Sequence, residues 1–285
     1  MNELLSCRQA MENCMATQTF AIAHLYKEEK TMDMHIHDCH EIYYSISGGK
    51  QFLIDNKIYT IEPGDIFIIN QYESHKITQV DKMVHERIVL SIHPEYTRRL
   101  STAQTDLDAC FSDRAEGFSH RIPLNKEQQN RFLYYISKIT DAGGYGQDLV
   151  EQTAFTELLL LINGAVRTIH LPEAAESRTY NHQVDDILAY INLNIAFPIT
   201  IEQLSGEFFL SESYICRIFK SATGTTINKY ISARRISIAK SLLRDGASVT
   251  EAYEKSGFSD YSNFFKTFTK AVGISPKKYA QCSVS

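Results

Sequence analysis

A motif repeated 49 residues apart constrains this 285-residue chain more than any other feature. In GFSDYSNFFKTFTKAVGISPKKY, Gly257 to Tyr279, Gly257-Phe258 reads as a turn. Ser259 or Asp260 can cap a helix, because its side-chain oxygen accepts an orphan backbone N–H. Phe264 and Phe268 fall four apart on one helical face, with Lys266 and Lys270 off it. Gly273 suits a helix stop, and Ser275-Pro276 opens a new element. The earlier copy has Ser211 as cap, Ile215 and Phe219 on one face, Arg217 and Lys220 off it, and Gly224 as stop. A turn followed by a short basic helix, given twice, predicts two helix-turn-helix units in tandem.

A recognition helix needs one face fixed to its own domain and another free for the major groove. In the first unit Ile215, Ile218 and Phe219 are the fixed residues, leaving Ser213, Cys216, Arg217 and Lys220 facing out. Arg217 can fork onto guanine O6 and N7. Ser211 and the helix N-terminus suit a phosphate oxygen. In the second unit Tyr261, Ser262, Phe265 and Lys266 face out, with Phe265 suited to a thymine methyl; the alternative leaves Phe265 in the core and Lys266 merely solvated. Charge agrees with DNA contacts at one end. Residues 182–285 hold 12 Lys/Arg against 9 Asp/Glu, or +3, while residues 1–181 hold 17 against 25, or −8.

The supporting helices are read as Gln183 to Asn194, Ile201 to Phe208, Ile227 to Leu243 as a long spacer, and Val249 to Ser256. Before residue 183 the pattern changes. Residues 171–182, LPEAAESRTYNH, are polar and read as a linker. Residues 2–16 suit a short helix. Strands are expected at Phe20 to Leu25, Glu41 to Ser47, Gln51 to Ile54, Lys57 to Ile61, Asp65 to Ile69 and Glu86 to Ile92, with Asp55-Asn56 as a hairpin turn. Helices follow at Lys126 to Asp141 and Asp148 to Ile169. The second is apolar over a wider surface than one-sided packing requires, with Leu161 the best candidate for a residue facing another subunit.

The C-terminal hundred residues resemble the DNA-binding domain of the arabinose-regulator (AraC/XylS) family. The resemblance rests on Ile199 to Leu204, Leu210-Ser211, Tyr214-Ile215, Arg217, Phe219-Lys220 and Thr223-Gly224. It continues through Arg235, Ala239, Leu242-Leu243, Gly257-Phe258, Asp260, Ser262, Phe264, Lys266, Phe268, Lys270, Gly273, Ser275-Pro276 and Tyr279. Lys266 stands where Arg is usual, Asn263 where an aromatic is usual, Ala280 where a basic residue is usual, and Ala252-Tyr253 replaces a large-apolar-then-Ala pair. Arg235 is expected to tie the two units together.

In the N-terminal region, His35-x-His37-x-x-x-Glu41 with Pro63-Gly64-Asp65 and His75 resembles the cupin barrel, a common sensory domain of that family. One continuous strand would point 35, 37, 41 and 43 to a single face. His40 has the other parity. The resemblance implies that His35, His37, Glu41 and His75 are the four positions that ligate metal in metal-binding cupins, a set suited to a first-row divalent ion. The reading preferred for a regulator is that these residues, with Tyr43, hydrogen-bond a small effector without metal. Arg87 is a further candidate for the barrel interior.

The expected fold is therefore α+β: a cupin-like β-barrel with a helical dimerisation segment over 1–170, a linker over 171–182, and an all-α double helix-turn-helix domain over 183–285. The expected function is sequence-specific transcription regulation of the activator type, with double-stranded DNA, RNA polymerase and a small effector as partners and a homodimer as the assembly. The resemblance makes a carbohydrate the effector class. The alternatives are a metal-dependent cupin enzyme fused to a DNA-binding domain, and a regulator controlled by a partner protein. Six cysteines without a Cys-x-x-Cys pair read as reduced thiols in a cytoplasmic protein. No signal peptide is read, and the greasiest run, Leu158 to Ile162, is too short to span a bilayer.

Overall fold

The computed structural model describes residues 5–28, 34–49, 51–55, 57–71, 73–79, 84–113, 118–168 and 182–283. Its strands are β1 (Phe20–Glu28), β2 (His40–Ser45), β3 (Gln51–Ile54), β4 (Lys57–Thr60), β5 (Asp65–Ile69), β6 (His75–Gln79), β7 (Val84–Ile92) and β8 (Arg121–Pro123). They form two antiparallel sheets, β1-β7-β2-β5-β8 and β4-β3-β6. Helix α1 (Cys7–Thr17) precedes them, and α2 (Pro94–Leu100), α3 (Ala109–Ser112), α4 (Lys126–Thr140) and α5 (Gln147–Thr168) complete the N-terminal half. The expected linker lies outside the described residues except His182, which begins α6 (His182–Leu193).

The central strands of the five-stranded sheet are buried on both faces, so they read as apolar runs rather than alternation. Odd positions of β2, β5 and β7, such as Tyr43, Phe67 and Val89, point between the sheets to meet Phe52, Ile54 and Ile77. Even positions, such as Ile42, Ile68 and Leu90, point the other way, against Phe111, Phe132, Phe155, Leu158 and Ile162 of the helices. This corrects the length argument made on Leu158 to Ile162. At 22 residues, α5 is by length and composition apolar enough to cross a bilayer, and its wholly buried Phe155, Leu158, Leu159 and Ile162 make it the central helix of this core. Leu161 is also buried; the neighbouring apolar residue that faces out is Leu160, 48% exposed.

The remaining helices are α7 (Ile201–Phe208), α8 (Glu212–Thr223), α9 (Ile227–Arg244), α10 (Val249–Lys255), α11 (Tyr261–Val272) and α12 (Pro276–Ser283). Their ends are fixed locally. Thr200 with Gln203, and Ser248 with Glu251, form capping boxes that satisfy two orphan donors each. Ser211 caps α8 and Asp260 caps α11, while Gly224 and Gly273 end them in the left-handed conformation. Ile215 and Phe219 lie in one core with α6, α7 and the start of α9; Phe264 and Phe268 lie in a second with α10, α12 and the rest of α9. The first core includes a residue of the N-terminal half: Leu53, on the outward face of β3, is buried among Val184, Ile187 and Leu188, with Ile58 and Met34 packed beside it.

Arg235 ties the two units as expected, through neutral acceptors. Its Nε donates to Ile195 O at 3.1 Å and its Nη2 to Phe197 O at 2.7 Å, and its guanidinium lies 6.0 Å from the centre of the Phe258 ring.

Candidate functional site

Four side chains meet between the sheets. The ligand atoms of His35, His37, Glu41 and His75 all lie within 4.8 Å of one another, and His37, Glu41 and His75 are buried. The route to this convergence differs from the continuous strand expected. His35 makes only an isolated bridge to His75, a bend occupies Asp38-Cys39, and β2 begins at His40. His40 is indeed on the other side of the sheet. It is not solvated there but stacks on Phe111 with centroids 4.2 Å apart, and its Nε2 lies 3.1 Å from Asp108 Oδ1.

The backbone fixes the orientation of two imidazoles. His37 Nδ1 lies 2.8 Å from Cys39 O, and His75 Nδ1 lies 3.0 Å from Glu73 O. A proton on each Nδ1 satisfies these carbonyls and turns both Nε2 atoms inward, that of His75 as an acceptor. His37 Nε2 lies 3.0 Å from Glu41 Oε2, a contact that needs a proton on that nitrogen. His75 Nε2 is buried and has no hydrogen-bond partner among the described residues, 3.8 Å from the same oxygen.

The charges follow from these contacts. Burial opposes a charge on His37, but Cys39 and Glu41 outweigh it and its pKa stands well above the ordinary imidazole value. Burial would raise Glu41; the His37 hydrogen bond and the neighbouring imidazoles bring it down to about 2. His75 is pushed well below the ordinary value by burial and then by His35. The arrangement is a hydrogen-bonded His37–Glu41 pair beside His75, whose Nε2 makes no hydrogen bond among the described residues.

The adjoining cavity is small, about 30 Å³, and is lined by Tyr43 and Arg87 among others, as expected, and by Cys7 and Met11 of α1. Those two were not anticipated, because a helix packing on a barrel mouth is a long-range event without local pattern. Cys39, whose Sγ is 3.5 Å from His37 Nδ1, was missed although a His-x-Cys spacing marks it.

On the C-terminal half, Ser211, Ser213, Arg217 and Lys220 are exposed on α8 and its cap, and Tyr261, Ser262, Phe265 and Lys266 on α11. Phe265 is thus outside the core, at 40% exposure. Arg217 lies over Tyr214, 5.4 Å from the ring centre. Cys216 is half-buried, packed in part against the first core.

Comparison with known proteins gives two family matches, an AraC-like ligand binding domain over residues 19–159 and a helix-turn-helix domain over residues 204–281. The transcriptional activator RhaR of Cronobacter sakazakii is 22% identical over 282 residues, spanning 99% of this chain and 98% of that protein. The activator RhaS of Salmonella heidelberg is 26% identical over 252 residues, 87% of each chain. Among solved structures, fatty-acid-bound ToxT from Vibrio cholerae aligns over 98% of this chain and 97% of its own at 15% identity, with a TM-score of 0.38, too low to bear on function.

Proposed function

The chain belongs to the AraC family of transcription regulators, a ligand-binding domain joined to a DNA-binding helix-turn-helix domain, and on that premise we propose that it activates transcription in response to a small polar effector taken up between its sheets. The activator role follows the relatives named RhaR and RhaS. We assign residues 1–170 to the sensor, 171–182 to the linker and 183–285 to DNA binding. A homodimer, contact with RNA polymerase, a cytoplasmic setting and the absence of catalysis belong to the same reading. The observation that carries it is one chain holding both a buried cluster of polar groups and two capped helices with exposed Arg217, Lys220 and Lys266. His35, His37, Glu41, Tyr43 and His75 are the effector contacts, and a carbohydrate, with its many hydroxyls, suits their mix of donors and acceptors. A reporter assay tests this. His37→Ala should abolish the effector response while leaving DNA affinity without effector nearly intact; an undiminished response would overturn it.

A second reading is favoured by the cavity's size and by His75. A space of about 30 Å³ holds an ion or a water rather than a monosaccharide. Three imidazoles and a carboxylate, two of the imidazoles anchored through Nδ1, suit a first-row divalent metal. His35, His37, Glu41 and His75 would hold it, and it would supply a positive centre that Glu41 and the unpartnered Nε2 of His75 are placed to meet. Elemental analysis of purified protein, with His75→Ala as control, separates the two readings.

A further inference from the structure

We propose that the outer face of the three-stranded sheet and the bend at Asp38 together form a latch that passes movement of the two buried histidines to the two helix-turn-helix units. The proposal rests on the reading of the histidine cluster as the sensor site.

Strand geometry supplies the connection. Successive residues of β6 point to opposite faces, so His75 enters the cluster and Lys76 leaves toward the DNA-binding half. Lys76, itself buried, donates to Gly224 O at 2.8 Å. That carbonyl ends α8, the negative pole of the helix, where an ammonium is favoured. Register brings a second residue in. Ile54 pairs with His75, so the turn residue Asp55 sits beside Ser74: Asp55 N donates to Ser74 O at 2.7 Å, and Ser74 N to Asp55 Oδ1 at 2.8 Å. Asp55 then engages α9. Its carboxylate pairs with Arg234, and its carbonyl accepts from Tyr230 Oη at 2.6 Å. Both contacts of the His75 side therefore end on the first unit.

His37 reaches the second unit. Its neighbour Asp38, at the bend before β2, pairs with Lys240 and accepts from Tyr279 Oη at 3.1 Å. Tyr279 belongs to the core of Phe264 and Phe268, and Lys240 lies 5.7 Å from the centre of its ring. The Asp38 contact is discrete: a cleft of about 750 Å³ opens beside it, lined also by Arg98, Arg244 and Tyr279. A side chain held at 6% exposure, like that of Lys240, and paired with a carboxylate has a strong preference for one geometry, so the contact is made or broken rather than stretched. The two grips fall on one helix, Arg234 and Lys240 being roughly 9 Å apart along α9 at 1.5 Å per residue. A ligand that changes the distance between His37 and His75 acts on each grip separately, and so alters the hold on the two units and their relative placement on DNA.

The test is peptide-resolved hydrogen exchange on the full-length protein, with Zn²⁺ alone as the probe. Lys76→Met should speed exchange in residues 224–231 on the order of tenfold and leave 239–244 unchanged; Asp38→Asn should do the reverse. Both substitutions preserve side-chain bulk, and circular dichroism verifies folding. In the unaltered protein Zn²⁺ should change protection in both segments; in Asp38→Asn it should still bind, with the response of 239–244 lost. If either variant leaves its segment unchanged, the latch is wrong. If Zn²⁺ binds and neither segment responds, the coupling is wrong while the metal reading of the cluster stands. If Zn²⁺ does not bind at all, the metal reading fails and the exchange of the two variants alone decides the latch.

Discussion

Gly257 lies directly against Ile195: a Cβ on Gly257 would fall 2.2 Å from the Ile195 carbonyl oxygen. The same oxygen accepts the Nε of Arg235. The backbone φ of Gly257 is +84°, so any side chain there would be strained as well as crowded. Backbone cannot yield as a flexible side chain can. Gly257→Ala should therefore destabilise the chain by about 1–3 kcal/mol or more, with the melting temperature lowered and DNA affinity reduced. A melting curve indistinguishable from that of the parent protein would show that the joint between the units is looser than described.

Arg217 is exposed and packs over Tyr214. Arg217→Ala should cost about 1–3 kcal/mol at one base position if it contacts guanine. Affinity measured over a panel of single-base operator variants checks this, because a uniform loss would assign the residue to phosphate.

Leu160 is the substitution site for testing assembly, in place of the buried Leu161. Leu149 and Val150 on the same helix and Leu133 and Tyr134 on α4 are exposed too. Leu160→Glu should give a folded monomer by sedimentation, whereas Leu161→Glu, placing a charge in the core, should unfold. A folded dimer from Leu160→Glu would move the interface elsewhere.

Asp108 gives the chain an acid-sensitive contact. Burial would raise its pKa, but hydrogen bonds from His40 and from Thr97 Oγ1, at 2.5 Å, hold it below the ordinary carboxylate value. A carboxylate depressed on folding stabilises fully above its unfolded pKa, about 3.9. That contribution is lost as pH falls through the folded value. Urea midpoints should therefore separate Asp108→Asn from the parent protein at pH 6 and converge as the pH drops below 4.

The C-terminal half was legible in sequence because its signals are local. Ser211 and Asp260 cap within three residues, Gly224 and Gly273 stop within one, and the Ile215/Phe219 and Phe264/Phe268 pairs fix each helix face. The N-terminal half was legible where a strand carried apolar residues throughout, as in β5. β6 was missed because Lys76, pointing outward, breaks the apolar run, and its burial depends on a helix about 150 residues away. β8, only three residues long, and α2 and α3 offered too little pattern. The histidine cluster came from the resemblance and not from the parity argument, since the bend at Asp38-Cys39 interrupts the strand that argument assumed. Cys216 marks the limit of helical spacing alone: a position at the edge of the apolar stripe can turn either way, and here packing leaves it half-buried.

The place of Leu53 has a consequence for how the molecule melts. A hydrophobic side chain from the sensor hairpin is wholly buried within the core of the first helix-turn-helix unit, so that core is completed in trans by another part of the fold. The chain looks modular as text and is less so as a thermodynamic object. Excising residues 183–285 would leave a hole at Leu53 and bare the apolar surface around Val184 and Leu188, so the excised fragment should unfold at lower temperature than the same segment does within the whole. Heat should take the three-stranded sheet and the first unit together, in one transition, while the Phe264/Phe268 core, which among the described residues borrows none of the sensor's apolar side chains, is free to follow a course of its own.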